Sequence, residues 1–207
     1  MKFNYIDIEK WKRKQHYNYY LKNVPCTYSM TIKLDITNVI KSQKKLYPTL
    51  LYCISKTVNK YEEFRTILDN EGKVGYFDEL YPCYTIFHKE NETFSNIWTE
   101  YSEDYEVFCK NYKEDMEKYG KNLDIVAKPD IPVNSFPISM LPWESFEGFN
   151  LNLQRGYEYL LPIFTLGKYY QEQDKVFIPL AIQVHHSVCD GFHLCRFIDS
   201  LRKALGE

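Results

Sequence analysis

The stretch Gln183-Val184-His185-His186-Ser187-Val188-Cys189-Asp190-Gly191-Phe192-His193 lies near the end of a chain of 207 residues. The apolar residues 176–184 before the His pair predict a buried strand. After the stretch, apolar residues recur at helical spacing, at Leu194, Ile198, Leu201 and Leu205. Asp190 is suited to cap this final helix, and Gly191 gives the turn backbone freedom. The stretch therefore predicts a strand-to-helix turn that can hold a histidine at the mouth of a pocket.

The rest of the chain alternates between strand and helix patterns, without a repeat or a Gly/Ser-rich linker. Tyr28, Met30, Ile32 and Leu34 alternate with polar residues, which is typical of a half-buried strand. We predict helices over residues 8–22, 48–61, 102–120 and from 192 onward. We predict strands over residues 28–34, 74–77, 84–88, 94–99, 136–141, 149–153, 163–170 and 175–184. Strands beside separated helices indicate an α+β fold, a mixed β-sheet flanked by helices, in one domain over residues 1–207.

Charge and hydropathy exclude several classes of protein. The net charge of −2 and the pI near 6.2 argue against a nucleic-acid-binding protein, which normally has a basic face. The N-terminus lacks the apolar run of a signal peptide, and residues 176–184 are too short to span a membrane. The six cysteines show no CxxC pair and no disulfide-framework spacing. We expect a cytoplasmic protein with reduced thiols.

The His pair has three alternative interpretations. A single histidine beside an apolar strand is usually a core or capping residue. Two adjacent histidines before Asp-Gly favour a general base, since neutral imidazole is the usual base near neutral pH. A metal site is the third alternative, because His185, His186, Cys189, His193 and Cys195 lie close together. Zinc ligands usually come from two separated pairs, and no second cluster exists in the sequence, so we expect no metal.

The stretch resembles the HxxxDG signature of the chloramphenicol acetyltransferase family, beginning at His186. Further motifs of this family occur in its order along the chain: Trp11 with Arg13, Pro25-Cys26-Thr27-Tyr28-Ser29, Leu34-Asp35-Ile36-Thr37, Tyr84-Thr85-Ile86-Phe87-His88, Thr93-Phe94-Ser95, Ile138-Ser139-Met140-Leu141-Pro142-Trp143, Phe149-Asn150-Leu151-Asn152 and Phe164-Thr165-Leu166-Gly167-Lys168-Tyr169. HxxxDG alone is shared with other CoA-dependent acyltransferases, whereas the full series is specific to this family. The resemblance covers essentially the whole chain.

The resemblance implies transfer of the acetyl group of acetyl-CoA to a hydroxyl of chloramphenicol, which inactivates the antibiotic. His186 matches the general base, with its second ring nitrogen held by a main-chain carbonyl. Ser139 matches the residue that stabilises the oxyanion, and Thr165 supports the intermediate through an ordered water. Asp190 matches a structural aspartate that pairs with an arginine, here Arg13.

Binding residues and assembly are also implied by the resemblance. The positions that match the drug pocket are Tyr20, Cys26, Tyr28, Thr85, Phe94 and Leu151. Tyr169 and Lys45 match positions near the coenzyme. The family assembles as a homotrimer with its active sites between subunits, so we expect the same here.

Two other functions stay open at this point. One is a different HxxxDG acyltransferase, such as the catalytic domain of a lipoyl-linked acyltransferase, although lipoyl and subunit-binding regions are missing from the sequence. The other is an inactive relative that binds drug or coenzyme without turnover. The joint presence of His186, Ser139 and Thr165 argues against it. The chain departs from many relatives at Ser187, where Ala is common, and at Tyr20, where Phe is common.

Overall fold

A computed structural model describes residues 2–153 and 158–206 of the chain. The α-helices are α1 (Lys14–Asn18), α2 (Thr37–Lys41), α3 (Leu46–Asn59), α4 (Tyr105–Tyr119) and α5 (Gly191–Leu205). The strands are β1 (Phe3–Tyr5), β2 (Thr27–Asp35), β3 (Thr66–Leu68), β4 (Val74–Phe77), β5 (Tyr81–His88), β6 (Thr93–Trp98), β7 (Ser135–Met140), β8 (Ile163–Leu166), β9 (Tyr170–Glu172) and β10 (Lys175–His185). A π-helical turn over Tyr19–Asn23 follows α1, and a 3-10 turn over Glu62–Phe64 follows α3.

The strands form a large mixed sheet and a small antiparallel one. The large sheet has the order β2-β10-β8-β7-β5-β6, with β9 paired to the start of β10. Strand β7 is parallel to both of its neighbours, β5 and β8, and the other pairs in the sheet are antiparallel. The small sheet has the order β1-β4-β3. This architecture confirms the predicted α+β fold with a mixed sheet.

Strand β10 is the interior strand that brings the His pair to its place. It is bonded to β2 on one side and to β8 on the other, as its apolar composition predicts for a central strand. Leu180 and Ile182 are fully buried in the core that also contains Leu194 and Leu201 of α5. Because β10 and α5 share this core, the turn between them is fixed at both ends.

The predicted helix over residues 8–22 is wrong in its first half. Residues 8–13 form turns, and α1 begins only at Lys14. Asp7 accounts for the difference, since its side chain accepts a hydrogen bond from the N–H of Glu9 and its carbonyl accepts one from the N–H of Lys10. A short polar side chain that bonds the local backbone competes with helix formation in this way.

The predicted strand over residues 149–153 is also wrong. These residues form no strand, because the N–H groups of Phe149 and Leu151 are bonded to side chains instead of to a neighbouring strand. The strand predicted over residues 163–170 ends at Leu166, since the N–H of Lys168 bonds the carbonyl of Glu144, which lies outside the sheet, before β9 begins. The fourth helix begins at Tyr105 and not at residue 102, since Asp104 caps it.

Candidate active site

The two histidines lie in a compact turn between β10 and α5. The carbonyl of His185, the last residue of β10, accepts hydrogen bonds from the N–H groups of Val188 and Cys189. Asp190 caps α5 by accepting hydrogen bonds from the N–H groups of Phe192 at 3.1 Å and His193 at 3.5 Å. The cap satisfies donors that a helix leaves free at its start. The predicted strand-to-helix turn is therefore confirmed.

Arg13 ties this turn to the segment before α1. Its Nη2 donates to the carbonyl oxygen of His186 at 2.9 Å, and its Nε donates to that of Ser187 at 2.8 Å. Its Nη1 donates to Oδ2 of Asp190, also at 2.8 Å. The donors of a guanidinium lie in one plane and in fixed directions, so three bonds from one group define the backbone path closely. The turn is held in shape by a side chain from more than 170 residues away in sequence.

The charge on Asp190 is stabilised by its neighbours. Partial burial alone would raise the pKa of Asp190, but the hydrogen bond from Arg13 and the nearby charges of His193 and Arg13 outweigh it. As a result the pKa of Asp190 is lowered to about 2. Asp190 is therefore an anion at neutral pH, bonded to a cation and to a helix N-terminus. This arrangement suits a structural aspartate.

The imidazole of His186 is half-buried between two aromatic side chains. The Tyr20 ring is stacked on it, with centroids 3.9 Å apart and planes inclined by 4°, and the Tyr28 ring meets it edge-on at 5.3 Å. The N–H of His186 donates to the carbonyl of Cys26 at 2.9 Å. Three residues that the resemblance assigned to the drug pocket thus surround the predicted base, His186. We call His186, Tyr20, Tyr28 and Cys26 the base group.

The hydrogen bonding of one ring nitrogen of His186 differs from what we expected. We expected the nitrogen that does not face the substrate to bond a main-chain carbonyl. Nδ1 is buried, but within the described residues it makes no hydrogen bond to another residue. The nearby carbonyls of His186 and Ser187 accept hydrogen bonds from Arg13.

The first histidine of the pair, His185, has a structural environment. It is fully buried, and its Nδ1 lies 2.7 Å from the hydroxyl of Ser187 and accepts a hydrogen bond from the N–H of Ser187 at 3.1 Å. Because the backbone N–H can only donate, Nδ1 accepts and the ring proton is on Nε2. The hydroxyl of Ser187, one of the two departures from the family, therefore contacts His185 and not the ring of His186.

Ser139 and Thr165 lie side by side on neighbouring strands. They are paired in the register of β7 and β8, and their hydroxyl oxygens are 3.1 Å apart. The hydroxyl of Ser139 is also 3.5 Å from the carbonyl of Phe164. Thr165 is only 2% exposed. Its rigid position limits the rotation of the Ser139 side chain beside it.

The segment with Leu151 crosses the same part of the sheet. The N–H of Phe149 donates to the hydroxyl of Thr31 at 3.3 Å, and the N–H of Leu151 donates to Oε1 of Gln183 at 3.1 Å. Thr31 and Gln183 are not among the residues predicted to have a role. A signal for Gln183 was available, since it is a polar residue within an otherwise apolar central strand, and such a group needs a partner.

Thr85 and Phe94 are the remaining positions of the predicted drug pocket. Thr85 is half-buried on β5, and its carbonyl accepts a hydrogen bond from the hydroxyl of Tyr47. Phe94 lies on β6 opposite Phe87 and is 52% exposed. The Phe87 ring in turn contacts Trp143 edge-on at 4.6 Å. Large apolar side chains exposed together are typical of a surface that binds a ligand or another subunit.

The two predicted coenzyme residues are at the surface. Tyr169 is exposed in the connection between β8 and β9. Lys45 is exposed just before α3 and lines a groove of about 610 Å³ together with Lys44, Tyr105 and Lys113. Glu106 and Glu117 line the same groove, so its three lysines leave a formal charge of three minus two, or +1.

Tyr28, whose ring contacts His186, and Ser139 point to opposite faces of the large sheet. Ala181 pairs with Thr165, and Thr165 pairs with Ser139, so these three side chains share one face. Tyr28 pairs with Val184, three positions along β10 from Ala181, and therefore points to the other face. The ring of His186 contacts Tyr28, and within the described residues no hydrogen bond joins His186 to Ser139. We call Ser139, Thr165 and Leu151 the acceptor group.

No metal centre or membrane-spanning helix is found in the part of the chain that the structure describes. Within residues 2–153 and 158–206, no three His, Cys, Asp or Glu side chains are grouped so that they could hold a metal ion. None of the helices in these ranges is both long and apolar enough to cross a bilayer.

Comparisons with known proteins agree with the geometry. The sequence profile of the family described as chloramphenicol acetyltransferase matches residues 1–202. A chloramphenicol acetyltransferase of Vibrio anguillarum is 60% identical over 99% of this chain and 95% of its own length, and one of Campylobacter coli is 59% identical over the full length of both. A solved chloramphenicol acetyltransferase structure has the same fold, with a TM-score of 0.84, 21% identity and coverage of 99% of this chain and 100% of its own. The chain belongs to the chloramphenicol acetyltransferase family.

Proposed function

We propose that this protein transfers the acetyl group of acetyl-CoA to a hydroxyl of chloramphenicol, with His186 as the general base. The observation that carries the proposal is the fixed position of the His186 ring. Its backbone is held by Arg13 and its ring by Tyr20 at the end of a buried strand. The names of relatives that are 59% and 60% identical over nearly the whole chain support the choice of substrate.

His186 supplies the proton transfers that the reaction needs. A hydroxyl is a poor nucleophile at neutral pH, so the neutral imidazole accepts its proton as the oxygen attacks the carbonyl carbon of the thioester. The C–S bond then breaks, and the imidazolium returns the proton to the departing CoA thiolate. The acetyl ester and free CoA are the products, and the protein ends in its starting protonation state. Acetyl-CoA acts as a co-substrate, and no metal takes part in this scheme.

Ser139 stabilises the negative charge that develops on the carbonyl oxygen. Its hydroxyl donates a hydrogen bond to this oxygen, and the buried Thr165, whose hydroxyl is 3.1 Å away, holds the Ser139 side chain in position. A donor that is fixed before the reaction begins does not have to reorganise as charge develops, and this makes it effective. We assign Thr165 the supporting role, through an ordered water beside the same oxygen.

We propose a homotrimer in which the base group of one subunit meets the acceptor group of the next. Two features of the single chain support this. Tyr28, which contacts His186, and Ser139 point to opposite faces of the sheet, as expected if a second subunit completes the site. The cleft beside Thr165 and Leu151 has a volume of only about 10 Å³, whereas pockets for drug-sized ligands are on the order of 300–1,000 Å³. A neighbouring subunit supplies the missing walls.

We assign the remaining predicted residues either to the drug pocket or to the coenzyme site. Tyr20, Cys26 and Tyr28 form the drug pocket beside the base, and Thr85, Phe94 and Leu151 form it beside Ser139. We assign Tyr169 and Lys45 to the coenzyme, with the lysine-rich groove near its phosphate groups. A cytoplasmic location agrees with the six cysteines, all of which are free thiols.

The release of free CoA tests the proposed function directly. Purified protein, acetyl-CoA and chloramphenicol should produce thiol, measured colorimetrically, and omission of the drug should stop it. His186→Ala should lower turnover by about 10²–10⁴-fold, the usual contribution of a general base. His16→Ala, a change of an exposed histidine, is the matched control and should keep normal turnover. Thiol release that does not depend on the drug, or normal turnover of His186→Ala, would contradict the proposal.

A further inference from the structure

We propose that Glu63 is a positioning residue for the catalytic base and acts on it through His193 and Asp190. The inference rests on the proposed role of His186. Glu63 lies in the 3-10 turn after α3, and the sequence analysis gave it no function. A continuous series of polar contacts connects it to the turn with His186.

His193 lies between two carboxylates. Its Nδ1 is 2.8 Å from Oδ1 of Asp190, and its Nε2 is 3.4 Å from Oε1 of Glu63. Because a carboxylate oxygen can only accept a hydrogen bond, Nδ1 is the donor in the 2.8 Å contact with Asp190. The His193 side chain is 18% exposed and that of Glu63 is 24% exposed, so water screens these contacts only in part. The ring thus links Glu63 to the aspartate that binds Arg13.

Glu63 is itself rigidly anchored. Arg196, one turn along α5 from His193, donates from Nη2 to the same Oε1 of Glu63 at 2.8 Å. The next residue, Phe64, is 1% exposed and its ring is stacked on Phe197 of α5 at 4.4 Å. Because both its backbone and its carboxylate are fixed, Glu63 can orient the His193 ring.

The series runs from α5 to the turn that holds His186. Arg196, Glu63, His193, Asp190 and Arg13 follow one another by contacts of 2.8–3.4 Å. Arg13 then binds the carbonyls of the turn that holds the base. In a partly buried network each member fixes the orientation of the next, so loss of one member loosens those beyond it. Without the carboxylate of Glu63, the His193 ring loses the contact at Nε2, and Asp190 and Arg13 hold the turn less firmly.

This arrangement predicts an effect on catalysis and not on binding. The acceptor group and the coenzyme residues are on other elements, so a small displacement of the His186 ring leaves them in place. A displacement of the base misaligns proton transfer, which depends strongly on geometry. Weakening of the series should therefore lower kcat and leave the KM of both substrates nearly unchanged.

Glu63→Gln is the central test, and Glu62→Gln is its matched control. Both changes replace one carboxylate in the same turn by an amide, but Glu62 lies beside Tyr76 and outside the series. Glu63→Gln should lower kcat roughly tenfold, within the range of coupled neighbours, with KM changed by less than about twofold. Its His186 ring signal should shift in the NMR spectrum, which contains only five histidines. Glu62→Gln should change neither, and equal effects of the two variants would overturn the inference.

A double variant shows whether Glu63 acts through His193. His193→Gln should lower kcat at least as much as Glu63→Gln, and the double variant should resemble His193→Gln alone, because the second change has nothing left to remove. Additive effects would overturn the inference, as would unchanged kcat in Glu63→Gln. The wild type and His186→Ala are measured in the same assay. If these two behave as proposed and Glu63→Gln has normal kcat, only the role of Glu63 is wrong.

Discussion

The imidazole of His186 lies flat against the ring of Tyr20, with 3.9 Å between the centroids and 4° between the planes. A stacked neighbour restricts rotation of the imidazole about the Cβ–Cγ bond. The ring nitrogen that accepts the proton therefore keeps its direction. The contact uses the aromatic face of Tyr20 and not its hydroxyl. The Tyr28 ring meets the same imidazole edge-on and blocks movement in a second direction.

Two substitutions of Tyr20 should distinguish the contribution of its ring to kcat from that of its hydroxyl. Tyr20→Phe keeps the stacked face and should retain kcat to within about twofold. Tyr20→Leu removes an aromatic contact worth about 0.5–1.5 kcal/mol, and kcat should fall by roughly 2- to 12-fold. Steady-state kinetics with chloramphenicol measure both. An equal loss in the two variants would show that the hydroxyl, and not stacking, is what matters.

Removal of the Ser139 hydroxyl should affect the chemical step. Ser139→Ala loses the donor to the developing oxyanion, so kcat should fall by about 10²–10³-fold, equivalent to about 2.7–4 kcal/mol. The KM of both substrates should change little, since the bond is strongest in the transition state. Thr165→Val, which removes the neighbouring hydroxyl, should cost less. A larger loss of kcat in Thr165→Val than in Ser139→Ala would show that Thr165, and not Ser139, is the main donor to the oxyanion.

Mixed assemblies should reveal whether the site is shared between subunits. His186→Ala and Ser139→Ala are each expected to be nearly inactive alone. If the base of one subunit works with the serine of the next, unfolding and refolding the two variants together should create some sites with both wild-type residues. Activity should therefore rise well above that of either variant. Recovery that stays at the level of the separate variants would place both residues in one subunit.

Asp190→Asn should lower stability in a pH-dependent way. The folded-state pKa of Asp190 is about 2, below its ordinary value of 3.8, so its charge stabilises the fold above about pH 4. This contribution is lost as the pH falls from about 4 to 2. Because Asp190 is partly exposed, we expect about 1 kcal/mol or less from the charge. Denaturant unfolding at pH 7 and pH 3 should show the variant closer to wild type at pH 3.

The activity of Asp190→Asn should decline together with its stability. If Asp190 has a structural role, kcat falls because the turn that holds His186 is less stable. If activity disappears while the free energy of unfolding and the position of the His186 ring are unchanged, Asp190 takes part in proton transfer directly.

Local patterns were sufficient for much of the fold. The alternation around Tyr28 predicted β2, and the apolar run before the His pair predicted β10 as a central strand. The helical spacing from Leu194 to Leu205 predicted α5, and Asp190 was recognised as its cap. These features depend on the period of apolar residues and on a capping side chain, which a short stretch of sequence contains in full.

Other features depend on contacts between distant residues. The segment at Phe149 and Leu151 reads as a strand, yet it is held by the side chains of Thr31 and Gln183, which lie more than 30 residues away. The link from Glu63 to the base joins three separate elements and leaves no local pattern.

The amino-acid pattern alone identifies the turn with His186, the types of element on either side and the family to which the chain belongs. It does not show that Tyr28, which contacts His186, and Ser139 point to opposite faces of one sheet. That separation follows from the pairing register of β2, β10, β8 and β7, which depends on packing across the whole sheet. A shift of one residue in any of these pairs would move a side chain to the other face, so tertiary packing sets the geometry of the site.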